Sequence, residues 1–102
     1  TWSKPSFACL ASRFVYGETI TSEKLLMVEH AEELLREKGF HQFRVRIHGT
    51  IARIELLPED ISRMLDEKLR KEIVDKLKRY GFTYVSLDLE GYRTGSMNEV
   101  LA

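Results

Sequence analysis

Covalent chemistry in this chain has few candidates, and the first is a thiol. The single cysteine, Cys9, lies in Ala8-Cys9-Leu10-Ala11-Ser12-Arg13. A thiol attacks only as its thiolate, and a guanidinium such as that of Arg13 nearby favours that form. The same position also suits a small buried hydrophobe without chemistry. Alone, Cys9 closes no intrachain disulfide and builds no chelating cluster, which fits a reducing compartment. His30, His41 and His48 lack the i, i+4 pairing of a metal-binding helix, so no metal site is expected. There is no Ser-His-Asp arrangement and no Gly-rich phosphate loop of the Walker or dinucleotide type.

The second candidate is an anion site. In Phe43-Arg44-Val45-Arg46-Ile47 and Ile51-Ala52-Arg53-Ile54-Glu55 the polar and apolar residues alternate. Successive strand side chains point to opposite sides, so Arg44, Arg46 and Arg53 share one face with Ile51 and Glu55. Arginine forks bind phosphate or carboxylate in bidentate fashion, and several on one rigid surface would cradle an oxyanion. The other reading is a solvated face balanced by Glu55 and Asp88. Ile51 among these charges suggests that a partner subunit or domain covers the face. On the preceding helical segment, Glu33 fits a solvated side and Glu32 lies nearer the apolar stripe, where structural charge is the expected role of both.

The elements that would position these groups follow from periodicity. Residues 1–20 form an arm carrying the Cys9 motif, with an extended piece through Arg13-Phe14-Val15-Tyr16. Thr21 or Ser22 caps a helix that runs to Lys38 and stops at Gly39, with Leu25, Val28, Ala31 and Leu35 at helical spacing. The two alternating stretches form a hairpin whose two-residue turn is read at His48-Gly49. That register pairs Ile47 with Thr50, Val45 with Ala52 and Phe43 with Ile54, all facing inward.

A second helix starts at Pro58-Glu59-Asp60, carries Leu65, Leu69, Ile73, Leu77 and Tyr80, and ends before Gly81. A third strand over 83–89 turns Val85, Leu87 and Leu89 inward and Tyr84, Ser86 and Asp88 outward. Residues 92–102 make a Gly/Ser tail. The segment from Leu35 through Gly39-Phe40 to Gly49 repeats in the segment from Leu77 through Gly81-Phe82 to Gly91. This repeat puts Ser86 at the place of Arg44 and Asp88 at that of Arg46. The expected fold is α+β, a small α-β-β-α-β domain over 21–91 of split βαβ, ferredoxin-like type.

Length and composition bound the function. The chain has 102 residues, 16 basic and 16 acidic, with 43% hydrophobic and 31% charged side chains, as expected of one globular domain. Zero net charge removes the basic excess that holds a protein to nucleic acid, and only Tyr84 offers the outward face a stacking platform. No apolar run approaches the roughly 18 residues of a membrane span, and no signal peptide opens the sequence. A cytoplasmic protein is expected, with neither nucleic acid nor membrane as partner. The start at Thr1 suits a processed protein or an excised piece.

Blocks spread over nearly all of the chain carry a resemblance. They include Ala8-Cys9-Leu10-Ala11-Ser12-Arg13, Tyr16-Gly17-Glu18-Thr19-Ile20-Thr21, Val45-Arg46-Ile47-His48-Gly49 and Leu87-Asp88-Leu89-Glu90-Gly91-Tyr92-Arg93-Thr94-Gly95-Ser96-Met97-Asn98. They resemble the C-terminal part of the ATP-dependent sacrificial sulfur transferases of the PP-loop superfamily, which help build the nickel-pincer cofactor of lactate racemase.

The resemblance implies that a PP-loop domain, absent from these residues, adenylates a carboxylate of a pyridinium mononucleotide with ATP and magnesium. Cys9 would then attack and surrender its sulfur. It further implies that Ser12, Arg13 and Glu32 line the active site, and that Arg44 and Arg46, with Arg53 added from the strand geometry, hold the substrate's phosphate. Some relatives hold a four-iron cluster on three cysteines. Cys9 alone cannot supply three ligands, which favours the sacrificial route. A homo-oligomer is expected, together with a PP-loop domain in the same or a separate chain. The reading from another class is a free-standing ferredoxin-like oligomerisation or interaction module whose arginines bind a partner's acids.

Overall fold

The computed structural model describes Phe14, Gly17 and residues 19–92. Its elements are α1 (Ser22–Glu37), β1 (Phe43–His48), β2 (Ile51–Leu56), α2 (Pro58–Ile61), a 3-10 turn (Ser62–Leu65), α3 (Glu67–Tyr80) and β3 (Tyr84–Leu87). This is the expected small α+β domain. The Cys9-Ser12-Arg13 motif and residues 93–102 lie outside the described residues. No helix among the described residues is long and apolar enough to cross a membrane.

Both long helices begin on a side-chain cap. The Thr21 hydroxyl accepts from the Lys24 N–H at 3.1 Å, and the Asp66 carboxylate accepts from the Lys68 N–H at 3.0 Å. Asp66 also corrects the single helix expected from Pro58 to Tyr80. The chain breaks there into α2, the 3-10 turn and α3, because a capping carboxylate sits in extended backbone between them. Leu65, counted on the apolar stripe of one continuous helix, is 79% exposed as a result.

The repeat is visible in how the helices end. Phe40 N–H donates to the Leu35 carbonyl at 3.1 Å, and Phe82 N–H donates to the Leu77 carbonyl at 3.2 Å. Each bond spans a glycine in the left-handed region, Gly39 at φ +94° and Gly81 at φ +121°. This is the Schellman cap, which satisfies orphan carbonyls and brings the residue after the glycine onto the last turn. Leu35, Phe40, Leu77 and Phe82 are all buried as a consequence.

The three-stranded sheet has the order β1-β2-β3, with β1 antiparallel to β2 and β2 parallel to β3. The parallel strands β2 and β3 are direct neighbours, where a split βαβ unit would hold another strand between them. On the far edge of β1, Phe14 bridges Ile47 in parallel orientation. Phe14 therefore stands to β1 as β2 stands to β3.

The hairpin register differs from the expected one by two residues. Its turn is Gly49-Thr50, so His48 pairs with Ile51, Ile47 with Ala52, Val45 with Ile54 and Phe43 with Leu56. Gly49, at φ +62°, supplies the positive φ that a type II′ turn demands at its first central position, and Thr50 keeps a negative φ. A shift of two preserves the faces, so Phe43, Val45, Ile47, Ala52 and Ile54 are buried as expected. Thr50 moves into the turn and is exposed, and Leu56 takes the sixth inward place. The third strand is shorter than expected, ending at Leu87 and leaving Leu89 83% exposed.

Candidate functional site

The outer face of the sheet gathers the three strand arginines. Cross-strand pairing sets Arg46 opposite Arg53 and Arg44 opposite Glu55. Two guanidiniums side by side repel unless a carboxylate intervenes, and Glu55 does so. Its Oε1 accepts from Arg46 Nη2 and its Oε2 from Arg53 Nη2, each at 3.3 Å. Glu55 is fully buried and Arg46 is 5% exposed, so this pair stands almost out of water, with Arg53 half-buried beside it. Ions so desolvated are tolerated only when paired and hydrogen-bonded. Asp88 joins from beyond β3, with its Oδ2 at 3.8 Å from Arg53 Nε. The two acids expected to balance this face therefore both engage it.

Arg44 stands apart from that cluster. Its guanidinium carbon lies 5.7 Å from the centroid of the Tyr92 ring, within cation–π range, and among the described residues it forms no ion pair. The trio thus divides into two arginines committed to Glu55 and one held by an aromatic face. Arg44 is half-buried, a setting in which an incoming anion is attracted more strongly than in open water.

Glu32 belongs to a neighbouring edge. It is 5% exposed on α1, and its Oε2 accepts from the Val45 N–H at 3.0 Å. Residues two apart on a strand present their backbone groups to the same side, so Glu32 meets β1 on the edge that Phe14 joins at Ile47. Phe14 directly follows Arg13 and comes five residues after Cys9. Glu33 is exposed, as its place on the helix predicts.

The histidines lie on three separate segments. The His30 ring packs on Tyr80 with centroids 5.2 Å apart, His41 is exposed, and His48 ends β1. Among the described residues no group of three His, Cys, Asp or Glu is placed to hold a metal ion. Sequence reasoning missed Tyr92, which it assigned to the tail, and the only signal was an aromatic following Gly91.

No family model matches the chain. It is 50% identical over 100 residues to an uncharacterized protein of Synechocystis, covering 98% of this chain and 37% of that protein. It is 45% identical over 101 residues to the pyridinium-3,5-bisthiocarboxylic acid mononucleotide synthase of Lactiplantibacillus plantarum, covering 98% of this chain and 36% of the synthase. A third similarity, 39% over 90 residues, is to an uncharacterized protein of Methanocaldococcus jannaschii, covering 88% and 34%. The chain thus spans about a third of the length of the curated relatives it matches.

Proposed function

We propose that this chain is the sulfur-donating part of a sulfur transferase that converts carboxylates of a pyridinium mononucleotide to thiocarboxylates in nickel-pincer cofactor synthesis. The observation that carries the reading is Arg44, a guanidinium without a carboxylate partner among the described residues, set beside a buried Arg46–Glu55–Arg53 cluster on a rigid sheet face. Such a face suits the phosphate of a mononucleotide. Support for the substrate class comes from the 45% identity to a synthase whose name is that of the doubly thiolated product.

In this reading an accompanying PP-loop domain, in the same or a separate chain, uses ATP and magnesium to make the acyl-adenylate. The Cys9 thiolate then attacks the acyl carbon, forming a thioester and releasing AMP. Removal of the Cys9 α-proton by a base then breaks the Cβ–S bond. The bond's electron pair leaves with the sulfur, giving a thiocarboxylate on the product and dehydroalanine on the protein. Arg13 favours the thiolate, while Ser12 and Glu32 line the site. Arg44 and Arg46 hold the phosphate, with Arg53 behind them keeping Glu55 in place.

The test is mass spectrometry of the Cys9 peptide after turnover with a PP-loop domain, ATP and the substrate. The expected product is lighter than the cysteine peptide by the mass of hydrogen sulfide. An unchanged peptide after many turnovers would overturn the sacrificial route. A second measurement separates this reading from an interaction module. Arg44→Ala is expected to lower phosphate affinity roughly 10- to 150-fold while leaving assembly state unchanged, since a charge-assisted contact contributes about 1.5–3 kcal/mol. Loss of assembly with no anion bound by the wild type would favour the module.

A further inference from the structure

Tyr92 is built into the arginine face with more care than a tail residue needs. Its N–H donates to the Leu56 carbonyl at 2.6 Å, and the preceding Gly91 N–H donates to the Asp88 carbonyl at 3.1 Å. Gly91 stands at φ +87°, and a Cβ there would lie 2.8 Å from the Leu56 carbonyl oxygen, so only glycine brings the chain this close to β2. Leu56 pairs with Phe43, the neighbour of Arg44, so this close approach delivers the ring to the Arg44 guanidinium.

We propose that Tyr92 is a specificity residue whose ring face receives the positively charged pyridinium ring of the substrate, while the arginines receive its anions. The inference deepens the anion-site reading above and rests on it. A pyridinium mononucleotide poses a problem for an arginine cradle, because its phosphate and carboxylates are attracted while its cationic ring is repelled. An aromatic face beside the guanidiniums resolves the conflict, since the ring quadrupole attracts a cation whose anionic substituents are satisfied elsewhere. The Tyr92 ring already has a cation at its face, the Arg44 guanidinium at 5.7 Å. When Arg44 turns to the phosphate, the pyridinium takes the vacated place and the local charge pattern is conserved. Tyr92 itself is half-buried, which strengthens the contact relative to a fully wet ring.

Calorimetric titration of the full chain with three probes decides the matter: nicotinamide mononucleotide, its reduced dihydropyridine form with a neutral ring, and inorganic phosphate. The wild type is expected to bind the charged-ring nucleotide roughly three- to thirtyfold more tightly than the neutral-ring one, the span of exposed to desolvated cation–π contacts. Tyr92→Phe keeps an aromatic face and should keep that preference. Tyr92→Leu should bind both nucleotides alike, with phosphate affinity unchanged, which also shows that the variant is folded. Equal behaviour of the Phe and Leu variants, or a wild type that binds phosphate but does not distinguish the two rings, overturns the assignment of Tyr92 alone. A wild type that binds none of the three probes overturns the anion site, and Tyr92's role with it.

Discussion

The first and second helix–strand units are built to one pattern, yet they bury different things. Each ends its helix on Leu-x-x-x-Gly-Phe with the same pair of backbone bonds, and each sends the next strand parallel to the chain beside it. In the first unit α1 buries five residues and β1 is covered on both faces along most of its length. In the second, α3 buries only Ile73 and Leu77, and β3 is a four-residue edge strand with no fully buried position. The polar residues follow that division. Arg44 and Arg46 occupy β1, the more covered strand, while the corresponding positions of the second unit hold Ser86 and Asp88 at the wetter edge. A charge gains recognition strength where water is excluded, so the unit that is covered carries the cations and the exposed one supplies a balancing acid.

Removing the acid of the central strand should have the largest effect. Glu55→Gln removes the carboxylate that lies between Arg46 and Arg53, and losing one partner of a buried pair costs about 3–5 kcal/mol. Asp88→Asn, at the edge, keeps the bond that Asp88 Oδ1 accepts from the Glu90 N–H and weakens the 3.8 Å contact to Arg53, so about 1 kcal/mol is expected. Urea midpoints of the two variants measure the contrast. Equal losses would mean that centre and edge do not differ as described.

The glycines closing the two units sharpen the comparison at a smaller scale. Gly49 and Gly91 occupy matching places and both have positive φ, but a Cβ on Gly49 meets nothing within 4 Å. Gly49→Ala should cost about 1 kcal/mol, the penalty for a left-handed residue. Gly91→Ala adds the collision with the Leu56 carbonyl and should approach about 3 kcal/mol. It should also displace Tyr92, and the NMR resonances assigned to the Tyr92 ring would report the shift. Matching penalties for the two alanines would show that the approach to Leu56 can relax.

What was legible in the sequence was whatever repeats. The period of α1 and the alternation of the hairpin identified the buried set and the arginine face, because a two-residue shift of register leaves faces intact. The shift itself came from taking Gly49 as the second turn residue, when its positive φ serves the first. Leu65 and Leu89 were assigned inward because periodicity carries no mark of where an element stops. Asp66, a capping residue inside an apparently continuous helix, was that mark. Tyr92 was illegible for a different reason. It belongs to no periodic segment, and its place is fixed by a single close approach at Gly91 that becomes visible only in three dimensions. Cys9, Ser12 and Arg13 lie outside the described residues, and their roles rest on the motif.

The smallest effect concerns the contact that joins the units at their helices. Lys38, at the end of α1, donates to Glu72 Oε2 of α3 at 2.5 Å, and Lys76 lies 3.4 Å from the same oxygen. The Lys38 hydrogen bond, the largest cause, holds the Glu72 carboxyl below its ordinary value, with Lys76 adding to it. A carboxylate lowered in the folded state stabilises above its unfolded pKa, and that contribution disappears as pH falls through the lowered folded value. The pair therefore supports the fold at neutral pH and ceases to do so in acid. Both side chains are accessible to solvent, so the support is slight and salt at about 1 M should screen most of it. The check is the difference in Tm between wild type and Lys38→Met, followed from pH 7 downward. It should be small and positive at neutral pH, shrink with salt, and vanish in acid. A difference that persisted in acid would assign the Lys38 contribution to its methylene stem lying across α3, making the joint between the units apolar instead of ionic.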